Sequence, residues 1–194
     1  MRRICVFCGS KAGARSTYAQ GARALGAAIA HRGLELIYGG GSLGLMGVLA
    51  DAALAAGGHV IGVLPRGLFS REVPHQGLSE LIEVASMHER KAVMVDLADA
   101  FVALPGGYGT CDELFEIVTW AQIGIHTKPI VLMDVDDYFA PLAAFAEQAE
   151  REGFIPAGYA TLLTRLRDAD AVLDFLTSAA LPVTIPSGAE IPQR

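Results

Sequence analysis

Glu113 stands just beyond a glycine turn, Pro105-Gly106-Gly107-Tyr108-Gly109, which follows a short apolar run from Ala100 to Leu104. The run reads as a buried strand, the turn as a break that glycines follow easily, and the residues after it as a long apolar helix. Strand, glycine turn and helix start form a geometry that binds phosphate, because free amides converge there and the helix dipole favours negative charge. A carboxylate in that setting would repel a phosphate unless it has another task. Its structural task could be the reciprocal half of a capping box with Thr110. A second cluster is Met87-His88-Glu89-Arg90-Lys91, where Ser86 and Glu89 have capping-box spacing. Two cations early in a helix are poorly placed against its dipole, which suggests a purpose other than helix stability.

Other patterns carry less. Gly39, Gly41 and Gly44 satisfy G-x-G-x-x-G. They follow the second strand, however, and the third carries no acid to hold a ribose, so close helix–strand packing or a nucleotide-lining loop explains them better than a dinucleotide. Cys5 and Cys8 are spaced as C-x-x-C but lie within a strand, where positions three apart face opposite sides. They read as small buried residues. The five histidines show no metal-ligand spacing, and no G-x-S-x-G nucleophile turn occurs. Neither a metal nor a nicotinamide cofactor is expected.

The elements that must hold these residues alternate along the chain. Strands are expected at Ile4 to Cys8, Leu34 to Tyr38, Val60 to Leu64, Leu81 to Val84, Ala100 to Leu104 and Pro129 to Met133. Helices are expected over Ser16 to Ala30, Leu45 to Ala56, Met87 to Leu97, the stretch after Gly109, and Tyr138 to Arg151. Ala160 to Leu166 is ambiguous and could end in a short last strand. Asp168 is expected to cap a helix to Leu176. Arg66 to Ser79 interrupts the rhythm, and a loop of that length in a compact domain usually serves function. This alternation predicts an α/β fold, a doubly wound, mostly parallel sheet with helices on both faces. Ligands of such sheets gather outside the carboxyl ends of the strands, so Arg90 and Glu113 can meet in one crevice.

The 194 residues suffice for one domain with a full core, expected over 1–178, with 179–194 a surface or partly disordered tail containing Pro182, Pro186 and Pro192. Net charge is −6 with no basic stripe, which disfavours nucleic acid as a partner. Three cysteines make no disulfide framework, and no run approaches the ~20 apolar residues of a membrane span. The start, Met1-Arg2-Arg3 before Ile4, reads as a first strand and not a signal peptide. A cytoplasmic location without membrane association is expected. Leu114, Phe115, Ile117, Val118, Trp120, Ala121 and Ile123 leave the helix of Glu113 almost no polar stripe, which predicts cover from a second subunit in a homodimer, the alternative being a helix sandwiched within its own chain.

Together these motifs resemble the Lonely Guy (LOG) family of cytokinin riboside 5′-monophosphate phosphoribohydrolases, whose members are often mislabelled lysine decarboxylases. P-G-G-x-G-T-x-x-E stands as Pro105 to Glu113, and M-H-x-R-K as Met87 to Lys91. Gly39 to Gly47 resembles G-G-G-x-x-G-L-M-G, and Thr119-Trp120-Ala121-Gln122 and Gly124-Ile125-His126-x-Lys128-Pro129 continue the likeness, which covers roughly residues 3 to 175. The resemblance implies a Rossmann-like fold and catalytic roles for Arg90 and Glu113. It also implies substrate contacts from Glu72, Arg90, Lys91, Gly107, Tyr108, Gly109, Thr110, Cys111, Asp112, Glu113 and Thr119, with no cofactor and no metal. The implied reaction cleaves the N-glycosidic bond of an N6-substituted adenosine monophosphate, and of plain AMP, to free base and ribose 5-phosphate. Glu113 would stabilise the ribosyl cation and orient or deprotonate water. Arg90 would either hold Glu113 ionised or bind the ribose phosphate. Two rivals are a nucleotide or cofactor carrier without chemistry and a pyridoxal-phosphate lysine decarboxylase; for the latter, Lys11, Lys91 and Lys128 are the only lysines.

Overall fold

The computed structural model describes residues 1–67 and 73–178. The expected tail over 179–194 and Glu72 both lie outside the described residues. A single seven-stranded sheet runs in the order β4-β3-β2-β1-β5-β6-β7 with every neighbouring pair parallel. Its strands are β1 (Arg3–Phe7), β2 (Glu35–Tyr38), β3 (Val60–Pro65), β4 (Glu80–Val84), β5 (Ala100–Ala103), β6 (Ile130–Met133) and β7 (Thr164–Leu166). The inner strands β2, β3, β5 and β6 are buried at every position without alternation because helices cover both faces. β7 resolves the ambiguous Ala160 to Leu166 stretch: a short 3₁₀ turn precedes it, and it pairs with β6.

Three helices, α1 (Ser16–His31), α2 (Gly44–Ala55) and α6 (Ala169–Thr177), share one face with Ile4, Val6, Leu36 and Tyr38. The other face carries α3 (Met87–Leu97), α4 (Tyr108–Gln122) and α5 (Ala140–Arg151) over Cys5, Phe7, Ile37 and Phe101. Cys5 and Cys8 accordingly fall on opposite faces, each a buried free thiol. Burial pushes the Cys8 thiol up, the Glu113 charge pushes it further, and Arg90 offsets part of this. Such a thiol stays protonated and inert.

The chain winds outward from β1 to β4 and returns through α3 to β5. The direction of winding therefore reverses between β1 and β5, and their carboxyl ends border the crevice where such sheets take ligands. Two caps match expectation: Ser86 Oγ accepts from the Glu89 amide at 3.1 Å, and Asp168 accepts from the Ala171 amide at 2.8 Å. One does not. The helix after the glycine turn begins at Tyr108 with Gly107 as its cap and no side-chain capping bond. Thr110 is its third residue, buried and packed on Gly106, where a Cβ would stand 2.1 Å from Thr110 Oγ1. Glu113 therefore has no capping-box role.

Candidate active site

A cavity of about 480 Å³ opens at the carboxyl ends of β1 and β5. The α4 start supplies Gly107, Tyr108, Gly109, Thr110, Asp112 and Glu113, and α3 supplies Arg90. The two charged residues that the sequence brings to one crevice thus line one cavity, and both are buried, Arg90 at 3% and Glu113 at 9% exposure. The first bond inside α4 runs from the Cys111 amide to Gly107 O at 3.1 Å. The amides of Tyr108, Gly109 and Thr110 precede it and have no helical acceptor.

Arg90 reaches across the sheet end. Its Nη2 donates to Gly39 O at 3.0 Å, just past β2, and Nη1 lies 3.7 Å from Met87 Sδ. The glycine run after β2 is a packing device, as its place in the chain implies. A Cβ at Gly44 would stand 2.4 Å from Lys11 N, one at Gly47 2.0 Å from Ser42 O, and one at Gly39 1.8 Å from Arg90 Nη2. Gly44 and Gly40 also hold positive φ.

The remaining expected contacts are placed differently. Lys91 is buried but outside the cavity lining, with Nζ 2.9 Å from Glu116 Oε2 and 3.1 Å from Asp112 Oδ2. Its ammonium reaches the lining through the Asp112 carboxylate. Cys111 is half-buried and not part of the lining, and Thr119 is exposed with its hydroxyl donating to Phe115 O at 2.7 Å. Sequence reasoning missed the opposite wall, formed by Gly9 to Gly13, Tyr18, Leu45, Met46 and Tyr138. The missing signal was strand order. Once β1 and β5 are known to be neighbours, the loop after β1 must border the crevice. Tyr138 donates its hydroxyl to Gly106 O at 2.5 Å and meets Tyr18 edge-on at 5.6 Å. Among the described residues no cluster of histidine, cysteine and acids could hold a metal ion, and no helix is long and apolar enough to cross a membrane.

Residues 46–176 match the family model described as possible lysine decarboxylase. Over 172 residues the chain is 51% identical to LOGL9 of Oryza sativa subsp. japonica, a probable cytokinin riboside 5′-monophosphate phosphoribohydrolase, covering 89% of this chain and 76% of that protein. It is 45% identical over 175 residues to the cytokinin riboside 5′-monophosphate phosphoribohydrolase LOG2 of Arabidopsis thaliana, covering 90% and 82%. Among solved structures, the molybdenum cofactor carrier protein of Chlamydomonas reinhardtii superposes with a TM-score of 0.69 at 25% identity over 90% of this chain and 97% of that one. A molybdenum cofactor binding protein from Rippkaea orientalis gives 0.70 at 20% identity over 91% and 96%, a likeness of fold. By its matched span and its identity to these plant proteins, the chain belongs to the Lonely Guy (LOG) family.

Proposed function

We propose that this protein hydrolyses the N-glycosidic bond of cytokinin riboside 5′-monophosphates, and of AMP, releasing free base and ribose 5-phosphate. The observation that carries the phosphate end of this reading is the emptiness above two glycines. A Cβ at Gly107 or Gly109 would meet none of the described residues within 4 Å, and neither glycine has positive φ. Neither backbone conformation nor packing against the described residues requires glycine there. A ligand pressed against the helix amides does. The 5′-phosphate sits on the Tyr108 to Thr110 amides, which leaves the ribose beside Glu113 and Arg90. As the bond from C1′ to the base nitrogen breaks, its electron pair leaves with the base. Glu113 faces the developing ribosyl cation and takes a proton from the water that adds at C1′, and that proton passes to the departing base. Arg90, anchored at Gly39, supplies the cavity with a fixed positive charge.

The family description as a lysine decarboxylase fits Lys91 and Lys128 poorly. A Schiff-base lysine needs a lowered pKa. Burial works against the charge on Lys91, but Glu116 and Asp112 outweigh it and hold the ammonium above its ordinary value. Lys128 donates Nζ to Val95 O at 2.7 Å.

The test is a hydrolysis panel of AMP, isopentenyladenosine monophosphate, CMP, GMP and adenosine, reading released ribose phosphate. Turnover of the adenine monophosphates, lost in Glu113→Gln, is expected. Retained binding without turnover would make the protein a carrier, and near-native hydrolysis by Glu113→Gln would overturn the role of Glu113.

The working unit is a homodimer. On α4, Leu114, Ile117 and Ala121 pack on the sheet, while Phe115 and Ile123 stay exposed. With Ile125, Phe145 and Phe154 they leave large apolar side chains bare around α4 and α5, and Phe115 meets Phe145 edge-on at 6.5 Å. A second copy covers this face, on which exposed Thr119 also stands. Light scattering should give twice the chain mass, and Phe145→Glu should halve it. A monomeric mass at micromolar concentration refutes the dimer. Free thiols at Cys5, Cys8 and Cys111 suit a reducing cytoplasm.

A further inference from the structure

We infer that Lys11 is a phosphate-binding residue of this cavity, a cation facing the phosphate from the loop after β1; the inference rests on the phosphoribohydrolase reading. Among the described residues, the charged ones lining the cavity are Lys11, Arg90, Asp112 and Glu113. A phosphate dianion at the start of α4 therefore arrives beside two carboxylates. The helix terminus offers only about half a positive charge. Arg90 is drawn toward Gly39 on the β2 side, and Lys91 is ion-paired outside the lining. Lys11 alone among these cations makes no hydrogen bond or ion pair with the described residues.

Its backbone is braced where such a cation is needed. The Gly9 amide donates to Pro105 O at 3.0 Å, and a Cβ at Gly106 would stand 3.0 Å from Gly9 N. On the other side, the Leu45 amide donates to Gly9 O at 3.0 Å, and Gly44 presses on Ser10 and Lys11 backbone atoms. The Lys11 loop is thus wedged between the α2 start and the glycine turn that opens α4. A fixed loop carrying a flexible ammonium suits a point charge that follows phosphate oxygens.

The experiment measures binding of ribose 5-phosphate and of free adenine to the full chain by calorimetry, for wild type, Lys11→Gln and Lys11→Arg. Lys11→Gln should weaken ribose 5-phosphate roughly ten- to hundredfold, with adenine unchanged. It should also flatten the salt dependence, and Lys11→Arg should restore most of the affinity. Wild-type affinity for ribose 5-phosphate in Lys11→Gln, or equal weakening of adenine, overturns the assignment while leaving the proposed function standing. Failure of the wild type itself to bind ribose 5-phosphate overturns both.

Discussion

The carbonyl of Gly39 accepts a hydrogen bond from Arg90 Nη2 at 3.0 Å, and a Cβ on Gly39 would stand 1.8 Å from that same nitrogen. A residue after β2 and a residue on α3 thus define each other's position, and the lack of a side chain at one makes room for the charge of the other. Gly39 does not hold positive φ, so alanine fits its backbone. Gly39→Ala should leave the fold intact, displace the guanidinium and lower kcat/KM by about a hundredfold, the usual cost of a misplacement near 1 Å. Near-native kcat/KM in this variant would show that the position of Arg90 is unimportant.

Gly109 and Gly106 should respond in opposite ways to the same added methyl group. At Gly109 the methyl meets none of the described residues within 4 Å and improves helix propensity, so Gly109→Ala should hold the thermal midpoint or raise it, adding up to about 1 kcal/mol of stability. Its KM for the monophosphate should rise more than tenfold, because the methyl occupies the space assigned to phosphate. At Gly106 the methyl runs into Thr110 Oγ1, so Gly106→Ala should lower the midpoint. If Gly109→Ala binds monophosphates as the wild type does, the phosphate lies elsewhere.

How much of this was legible in the sequence depends on range. Period and punctuation placed the β5–turn–α4 unit because strand, turn and helix residues are contiguous, and the Asp168 cap was readable for the same reason. The start of α4 was not. Thr110 fits a cap by type, but its burial against Gly106 is a tertiary fact that overrides the local signal. Lys11 and Tyr138 were invisible because their relevance arises from β1 lying beside β5 and from the loop after β6 folding over Gly106. The motif around His126 was readable as a pattern but not as a task. In the structure it is a fastener: Nε2–H donates to Ile117 O at 2.9 Å, and Nδ1 accepts from the Lys128 amide at 3.2 Å.

Tyr138 positions the glycine turn from outside. Its hydroxyl bonds Gly106 O, and its ring is held edge-on between Tyr18 and Phe139, at 5.6 and 5.2 Å. Tyr138→Phe keeps the ring and removes the bond. KM for the monophosphate should rise several-fold with kcat nearly unchanged, while the thermal midpoint moves little. An equal fall in kcat with constant KM would place the effect in the chemical step and not in the cradle.

His126 should set part of the acid limit of stability. Burial lowers its pKa below the ordinary 6.5, the bond to Ile117 O pulls it partly back, and the Lys128 charge lowers it further. The unfolded chain therefore takes up this proton at a higher pH than the folded protein does. Between the two values the unfolded state holds more protons, so stability rises with pH. The contribution is complete above about pH 6.5 and is lost as pH falls toward the folded value, with a limiting slope of about 1.4 kcal/mol per pH unit for one proton. Protonating Nδ1 also removes the acceptor for the Lys128 amide, which loosens the link from α4 into β6. In thermal unfolding between pH 8 and 5, His126→Asn should be less stable than the wild type at pH 8, and the difference should shrink on acidification. Parallel curves for the two proteins would show that His126 takes up its proton at the same pH in the folded and unfolded states and that other groups set the acid limit.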